Sequence, residues 1–148
     1  LSYIGDEPVI HLADVEAVAS RGSLLTIFSL MDAVAARNAH RSIDLFRLMI
    51  KEGEAQQKIL SMLAKQFRDI LAVGELAKKG LKSKEISRQL ELHPFVAEKY
   101  LEKCRIFSFG ELIKALELLL NADIANKTGQ GELQNLLEVA IMRICAKA

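Results

Sequence analysis

The sequence lacks, or has little of, what several protein classes require. It contains no Trp, only two Pro and two Cys among its 148 residues, and its aromatic side chains amount to 5%. Because Cys104 and Cys145 are far apart in the chain, they argue against a zinc knuckle, a redox pair or a secreted disulfide scaffold, and favour reduced, buried thiols in a cytoplasmic protein. No apolar run approaches the roughly 20 residues that span a bilayer, so we expect no membrane association.

An excess of either charge is also missing. The 20 basic residues are balanced by 19 acidic ones, which leaves a net charge of +1 and little long-range attraction for a polyanion such as DNA. Apolar residues make up 51% of the chain, which excludes a disordered tail and suits one compact domain. The start LSYIGDEPV has neither an initiator Met nor a signal-peptide layout. We therefore expect a piece of a longer protein.

Apolar residues recur with helical spacing along most of the chain. The stretch from Glu54 to Lys79 carries two adjacent apolar ridges, which predict a central helix buried on more than one side. Asn38 is placed to cap the preceding helix, and Gly53 to end it in a left-handed conformation. After a joint predicted at residues 20–23, an earlier helix presents one apolar stripe for packing, formed by Leu24, Ile27, Phe28, Met31, Val34 and Ala35.

A clear helix start lies at FSFGEL, residues 107–112. Ser108 and Glu111 have the spacing of a capping box, and Phe107 and Leu112 can pack over it as a hydrophobic staple. No segment alternates polar and apolar residues, and no Asn-Gly or Asp-Gly hairpin turn occurs. The sequence therefore predicts an all-α fold, a compact helical bundle of about six to eight helices.

Motifs that carry catalysis are missing. There is no Gly-rich phosphate loop, nucleophile elbow or zinc-binding His-Glu-x-x-His helix. His11, His40 and His93 lie on separate predicted elements, which does not indicate a metal site. NKTGQG at residues 126–131 contains a Lys-Thr-Gly found in penicillin-binding enzymes, but here it follows a helix and lacks the Ser-x-x-Lys partner. It predicts a helix end with Gly129 in the left-handed conformation.

One segment has the outline of a helix-turn-helix. SKEISRQLELHPFVAEKYLEKC predicts a short helix opened by Ser83, a break at His93 and Pro94, and a second amphipathic helix. A helix-turn-helix DNA-binding domain using residues 83–105 is therefore an alternative interpretation.

The groups that read bases are missing from that second helix. Base recognition needs Arg, Asn or Gln near the start of the helix, but the residues there are Pro94, Phe95, Val96, Ala97 and Glu98. A basic cluster stands just upstream and makes nonspecific contact with the DNA backbone a hypothesis. The basic cluster consists of Lys78, Lys79, Lys82, Lys84 and Arg88.

The order of several landmarks resembles a known family. HLADVEAV, a helical hairpin ending in KEGE, ILSMLAKQFRDIL, KSKEISRQLELHPFVAEKYL and FSFGELIKALELLLNADIANKTGQGE follow one another through nearly the whole chain. Together they closely resemble the C-terminal portion of the delta subunit of bacterial DNA polymerase III. The most specific pieces are LELHPFVAEKY and ALELLLNADIANKTGQ.

The resemblance implies a place in the clamp loader, the pentamer that opens the sliding clamp and sets it on primed DNA. In that family an N-terminal AAA+-like domain that binds the clamp precedes a small lid domain and a helical collar domain. Residues 1–20 are then the C-terminal remnant of the lid domain, and residues 21–148 the helical collar domain through which the subunits assemble. The implied partners are the gamma or tau and delta prime subunits, with the sliding clamp bound only through the missing N-terminal domain and DNA held by the assembly.

The resemblance also implies that this fragment is not an enzyme and binds no cofactor, although its parent is a subunit of a DNA-directed DNA polymerase, a nucleotidyltransferase holoenzyme. A helical domain with more apolar surface than its core needs hides the remainder in partners. Phe95, Phe109 and the outward side of the last helix are the candidate interface residues.

Overall fold

The computed structural model describes residues 21–146, and these form seven α-helices and no strand. The helices are α1 (Arg21–Ala35), α2 (Ala39–Lys51), α3 (Gln56–Lys78), α4 (Ser83–Gln89), α5 (Pro94–Ile106), α6 (Phe109–Lys127) and α7 (Leu133–Cys145). The predicted all-α bundle is confirmed. The helix predicted around HLADV and the lid remnant lie outside the described residues, so the domain boundary stays a prediction.

Helix α3 is the centre of the bundle, as its two apolar ridges predict. It packs against α1, α4, α5, α6 and α7, while α1 packs against α2 and α6 against α7. Five of its side chains are almost completely buried: Ile59, Leu63, Phe67, Ile70 and Val73. A helix with so wide an apolar face is surrounded by other helices and does not lie at the surface of the bundle. The outer helices are therefore positioned by their contacts with α3.

Five helices end in the same hydrogen-bonded turn, in which a left-handed residue follows the helix and the next amide bonds back to the carbonyl five positions earlier. Gly53, Gly80 and Gly129 are the left-handed residues after α2, α3 and α6, as expected for a residue without a Cβ. The same position after α1 is held by Arg37 at φ 60° and after α4 by Glu91 at φ 55°. The backbone of the turns at Arg37 and Glu91 is therefore strained, unless contacts of these two side chains offset the energetic cost.

Arg37 compensates through contacts with three other parts of the bundle. Its Nη1 donates to the carbonyl oxygen of Ile144 at 3.0 Å, and its Nη2 donates to Glu111 Oε2 at 2.8 Å. The guanidinium also lies 5.3 Å from the centre of the Phe107 ring, which makes an edge-to-face contact with Phe67 at 5.9 Å. One side chain thus joins the α1–α2 turn to the start of α6 and the end of α7, over an aromatic pair that reaches α3.

The start of α6 confirms the predicted capping box. The Ser108 hydroxyl accepts from the Glu111 amide at 3.1 Å, and Glu111 Oε1 accepts from the Ser108 amide at 2.9 Å. Phe107 and Leu112 flank the box and are both buried, as a hydrophobic staple requires. Since the other oxygen of Glu111 receives Arg37, the cap is also part of the tertiary structure.

Two further ion pairs join helices. Lys103 on α5 is buried and donates to Asp32 Oδ1 on α1 at 2.6 Å. Arg47 on α2 makes two parallel hydrogen bonds of 2.9 Å to the Glu138 carboxylate on α7, and these bonds lower the pKa of Glu138.

Two details of the prediction are wrong. Leu24 belongs to the predicted packing stripe of α1, yet it is exposed, while Ile27, Met31 and Val34 of the same stripe are buried. The reason is that Leu24 lies in the first turn of α1, before the part of the helix that faces the core. The joint predicted at residues 20–23 is also wrong for residues 21–23, which are helical.

Substitutions at Arg37 can separate two contributions to the free energy of unfolding, the cost of the strained backbone and the gain from the side-chain contacts. We expect Arg37→Ala to lower the free energy of unfolding by about 2 kcal/mol, because two charge-assisted hydrogen bonds are lost. Arg37→Gly loses the same bonds but relieves the positive φ, so we expect it to be less destabilising than Ala by about 1 kcal/mol. Denaturant unfolding of the three proteins measures both differences.

Glu91 is the matched control for that experiment. It has the same backbone conformation, but its side chain makes no hydrogen bond or ion pair with any residue in the range 21–146. Glu91→Gly is therefore expected to stabilise the protein by about 0.5 kcal/mol. An Arg37→Gly variant that is as stable as Glu91→Gly would contradict the structural role of the guanidinium.

The Arg47–Glu138 pair predicts a defined pH dependence. Because the pKa of Glu138 is lowered in the folded state, the pair stabilises the protein fully above the unfolded pKa of about 4.3, and the contribution is lost as the pH falls through the folded pKa. The unfolding midpoint of Arg47→Gln should therefore lie below that of the unaltered protein at pH 7 and converge with it below pH ~3. Arg41→Gln, at an exposed position of the same helix, is the control; an Arg47→Gln difference that persists unchanged in acid would refute the assignment.

Candidate interaction surface

Large apolar side chains are exposed on some helices and not on others. Of the ten in residues 21–146 that are strongly exposed, seven lie on the last three helices, and α3 and α4 carry none. The apolar excess of the chain is thus concentrated on α5, α6 and α7. The seven are Phe95, Ile106, Phe109, Leu120, Ile124, Val139 and Met142.

Both aromatic residues predicted for an interface are exposed. Phe95 is 57% accessible in the first turn of α5, and Phe109 is 52% accessible as the first residue of α6. A lysine ammonium lies over each ring, Lys99 Nζ at 5.5 Å from Phe95 and Lys78 Nζ at 5.6 Å from Phe109. Neither phenylalanine is a core residue, so their role in an interface stays a prediction that the geometry permits.

A first groove lies beside Phe109, between α3, α5 and α6. It has a volume of about 280 Å³ and an apolar lining that includes Leu71, Cys104 and Leu112, with Glu75 and Lys78 among its polar residues. Cys104 donates to the Ile70 carbonyl at 3.3 Å, and burial raises the pKa of its thiol. That thiol is therefore a packing group with little thiolate character at neutral pH.

A second groove lies on the other side of the α6 start, between α6 and the end of α7. Its volume is about 490 Å³. Phe107, Ala115, Leu118 and Ile144 supply an apolar lining and are all buried. Its charged residues are Arg37, Glu111, Lys114 and Arg143.

A third groove, of about 450 Å³, separates α3 from the middle of α6. Leu60, Leu116 and Leu119 line it, and the exposed Leu120 stands at its edge one turn before the exposed Ile124. Leu120 and Ile124 are not among the residues predicted for an interface. The available signal was the pair Leu119-Leu120, since adjacent helical residues point about 100° apart and cannot share one narrow stripe.

The predicted helix-turn-helix exists as a packing unit. Helices α4 and α5 pack together, Ile86 and Ala97 are buried between the helices of the bundle, and the imidazole of His93 caps α5 by accepting from the Phe95 amide at 3.0 Å. The exposed start of α5 presents Phe95 and Glu98. The structure thus does not favour a base-reading helix at residues 83–105.

The basic cluster is exposed throughout. Lys78 already contacts the Phe109 ring, and Lys82 donates its backbone amide to Glu85 at 2.9 Å. Contact with a DNA backbone stays a prediction for these five residues.

The other residues considered for chemistry have structural roles where they can be seen. His40 is exposed and lies 3.4 Å from Asp44 in the next turn, His93 is a helix cap, and His11 is outside the described residues. The Lys-Thr-Gly segment ends α6 with Gly129 left-handed, as predicted. In residues 21–146 no group of three His, Cys, Asp or Glu side chains is arranged to hold a metal ion, and both described cysteines are free. Within the same range, no helix has the length and apolar character needed to cross a membrane.

Exposure of Phe109 can be tested by comparing it with its buried neighbour. Phe109→Ser removes a half-exposed ring and should lower the free energy of unfolding by no more than about 1 kcal/mol. Phe107→Ala empties a buried position against Phe67 and Arg37, and should cost about 3 to 4 kcal/mol. Equal losses in denaturant unfolding would show that Phe109 is part of the core.

Comparison with known proteins assigns the family. The family described as DNA polymerase III delta subunit, C-terminal domain, matches residues 25–144. DNA polymerase III subunit delta of Bacillus subtilis (strain 168) is 32% identical over 143 residues, which cover 97% of this chain and 41% of that protein. The solved structure of the Bacillus subtilis DNA clamp loader delta protein matches with a TM-score of 0.75 and 32% identity, over 81% of this chain and 35% of that one.

The chain therefore spans about two fifths of the length of this relative. The family match covers most of the helical bundle, including the exposed residues of α5, α6 and α7. The resemblance predicted from the ordered sequence landmarks is confirmed. Family match, sequence identity and shared fold together establish that this chain belongs to the delta subunits of bacterial DNA polymerase III and carries their C-terminal domain.

Proposed function

We propose that this domain is a noncatalytic assembly module, the collar domain through which a delta subunit joins the other subunits of the clamp loader. Its expected partners are the gamma or tau and delta prime subunits. The sliding clamp would be bound only by the part of the delta subunit that precedes this domain, and DNA only by the complete assembly.

The observation that carries the proposal is the exposed apolar surface of α5, α6 and α7. Residues 21–146 bury thirty apolar side chains in one cluster, so this part of the chain already has a core and the exposed side chains are not needed to fold it. Subunit interfaces are the usual destination of such side chains, with aromatic residues and Met enriched at their centres. Phe95, Phe109 and Met142 fit that composition.

A collar role also explains why the bundle is tied together at its ends. The contacts of Arg37 hold the α1–α2 turn, the start of α6 and the end of α7 in one arrangement. A support from which the mobile parts of a loader pivot has to keep its own shape while they move. Binding then depends on a surface that is already formed, which lowers the entropic cost of association.

DNA binding by α4 and α5 is the competing function. It would rest on the exposed basic cluster, but the exposed start of α5 offers Phe95 and Glu98 rather than base-reading donors. Phosphate-driven binding has a steep salt dependence. A salt titration of duplex binding therefore distinguishes it from subunit assembly.

The central test is subunit binding by this chain alone. We expect it to bind purified gamma or delta prime in size-exclusion chromatography, without hydrolysing ATP and without retaining the sliding clamp. The double variant Phe109→Ser with Leu120→Ser should weaken that binding at least tenfold, because both side chains are exposed apolar residues of the proposed interface. Leu48→Ser, at an exposed position of α2, is the control and should bind normally.

Two results would overturn the proposal. One is the absence of any binding to gamma, tau or delta prime while circular dichroism shows a folded helical domain. The other is salt-sensitive duplex binding that is lost when the four lysines and the arginine of the basic cluster are replaced.

A further inference from the structure

The second groove, between the first half of α6 and the end of α7, carries positive charge that no described acidic residue neutralises. Three of its lining residues are cations and one is an anion. Arg37 and Glu111 bond to each other, so their charges largely cancel. Lys114 and Arg143 are exposed, and neither makes an ion pair with any residue in the described part of the chain. The groove thus has two available positive charges.

The walls between these charges are apolar and rigid. Phe107, Ala115, Leu118 and Ile144 line the groove and each is less than a tenth exposed, so they are held by the core. Arg37 fixes one end by its bond to the Ile144 carbonyl. A ligand that fits would place apolar side chains against this lining and acidic groups near Lys114 and Arg143.

We infer that the second groove binds an acidic, partly apolar polypeptide segment of a neighbouring clamp-loader subunit. This rests on the proposed assembly function and adds the chemistry of one contact to it. Complementary charge determines the rate and register of such docking, and the apolar contact supplies most of its affinity.

A polypeptide fits this groove better than a nucleic acid does. Binding along a phosphate backbone requires a row of cations, and its affinity depends on how many phosphates they neutralise. Among residues 21–146 this groove has two available cations, Lys114 and Arg143, and the buried side chains of Phe107, Ala115, Leu118 and Ile144 offer no polar group to a sugar or phosphate. An amphipathic acidic segment satisfies both parts of the surface.

Charge reversal tests the inference directly. The double variant Lys114→Glu with Arg143→Glu should bind gamma or delta prime about tenfold more weakly than the unaltered chain at low salt, and the difference should shrink as salt screens the charges. Isothermal titration calorimetry at several salt concentrations measures both effects. The matched control is Arg41→Glu with Lys51→Glu, which reverses two exposed charges on α2, outside the groove.

A second variant blocks the groove without changing charge. Gly110 lines it, and a Cβ added there would lie 4.0 Å from the Ser108 hydroxyl oxygen, which is the nearest atom apart from its chain neighbours and the backbone of its own helix. Gly110→Leu should fold about as stably as the unaltered chain, because Gly110 is in the first turn of α6 and an added Cβ has space there. It should weaken subunit binding by a factor that does not depend on salt.

The outcomes are distinguishable. If the unaltered chain binds its partner and the groove variant binds as well as the α2 control, the groove inference is wrong and the assembly function stands. If the unaltered chain binds neither gamma nor delta prime, both are wrong. A groove variant that loses affinity for primed DNA but keeps its subunit affinity would assign the groove to nucleic acid and overturn the inference.

Discussion

The arrangement of the bundle depends on one guanidinium group. Arg37 occupies a left-handed position that costs backbone energy, and it recovers that cost through the Ile144 carbonyl, the Glu111 carboxylate and the Phe107 ring. Glu111 is at the same time half of the capping box that begins α6. The start of α6, which is set by local sequence, is thereby linked to the tertiary structure. Glu111 caps α6 and also accepts a hydrogen bond from Arg37, whose side chain positions α1, α2 and α7.

This linkage explains how the domain can leave so much apolar surface exposed and still have one structure. The core is packed around α3, and the outer helices are held to one another by ion pairs. Lys103 with Asp32 and Arg47 with Glu138 are two examples. The exposed side chains of α5, α6 and α7 therefore stay outside without being drawn into the core. A prepared surface of this kind suits a subunit that joins a larger assembly, as we propose for this delta domain.

Much of the fold could be predicted because its signals are local. The apolar period of α3, the caps at Asn38 and Ser108 and the left-handed glycines after α2 and α6 each depend on a few neighbouring residues. The helix-turn-helix outline was also correct as packing. Its function could not be predicted from its shape, because the same two helices serve equally well to bury Ile86 and Ala97 within a bundle.

The tertiary links could not be predicted. Nothing adjacent to Arg37 in the sequence indicates that its partners lie 74 and 107 positions further along the chain. The second groove was missed for the same reason, since Lys114 and Arg143 come together only when α6 and α7 pair. Phe95 and Phe109 were predicted as interface residues, and the structure places both at exposed positions in the first turn of a helix. Their contact with a partner stays a prediction.

The most direct test of the central claim, that the outer face of α5 to α7 binds sister subunits, is hydroxyl-radical footprinting of this chain with and without gamma and delta prime. Met142 is an exposed and reactive reporter on α7, while Met31 and Met49 are buried internal references and the exposed Leu48 reports on α2. We expect oxidation of Met142 and Phe109 to fall several-fold in the complex, while oxidation of Leu48 should not change. Protection of Leu48 with Met142 and Phe109 unchanged would contradict the claim.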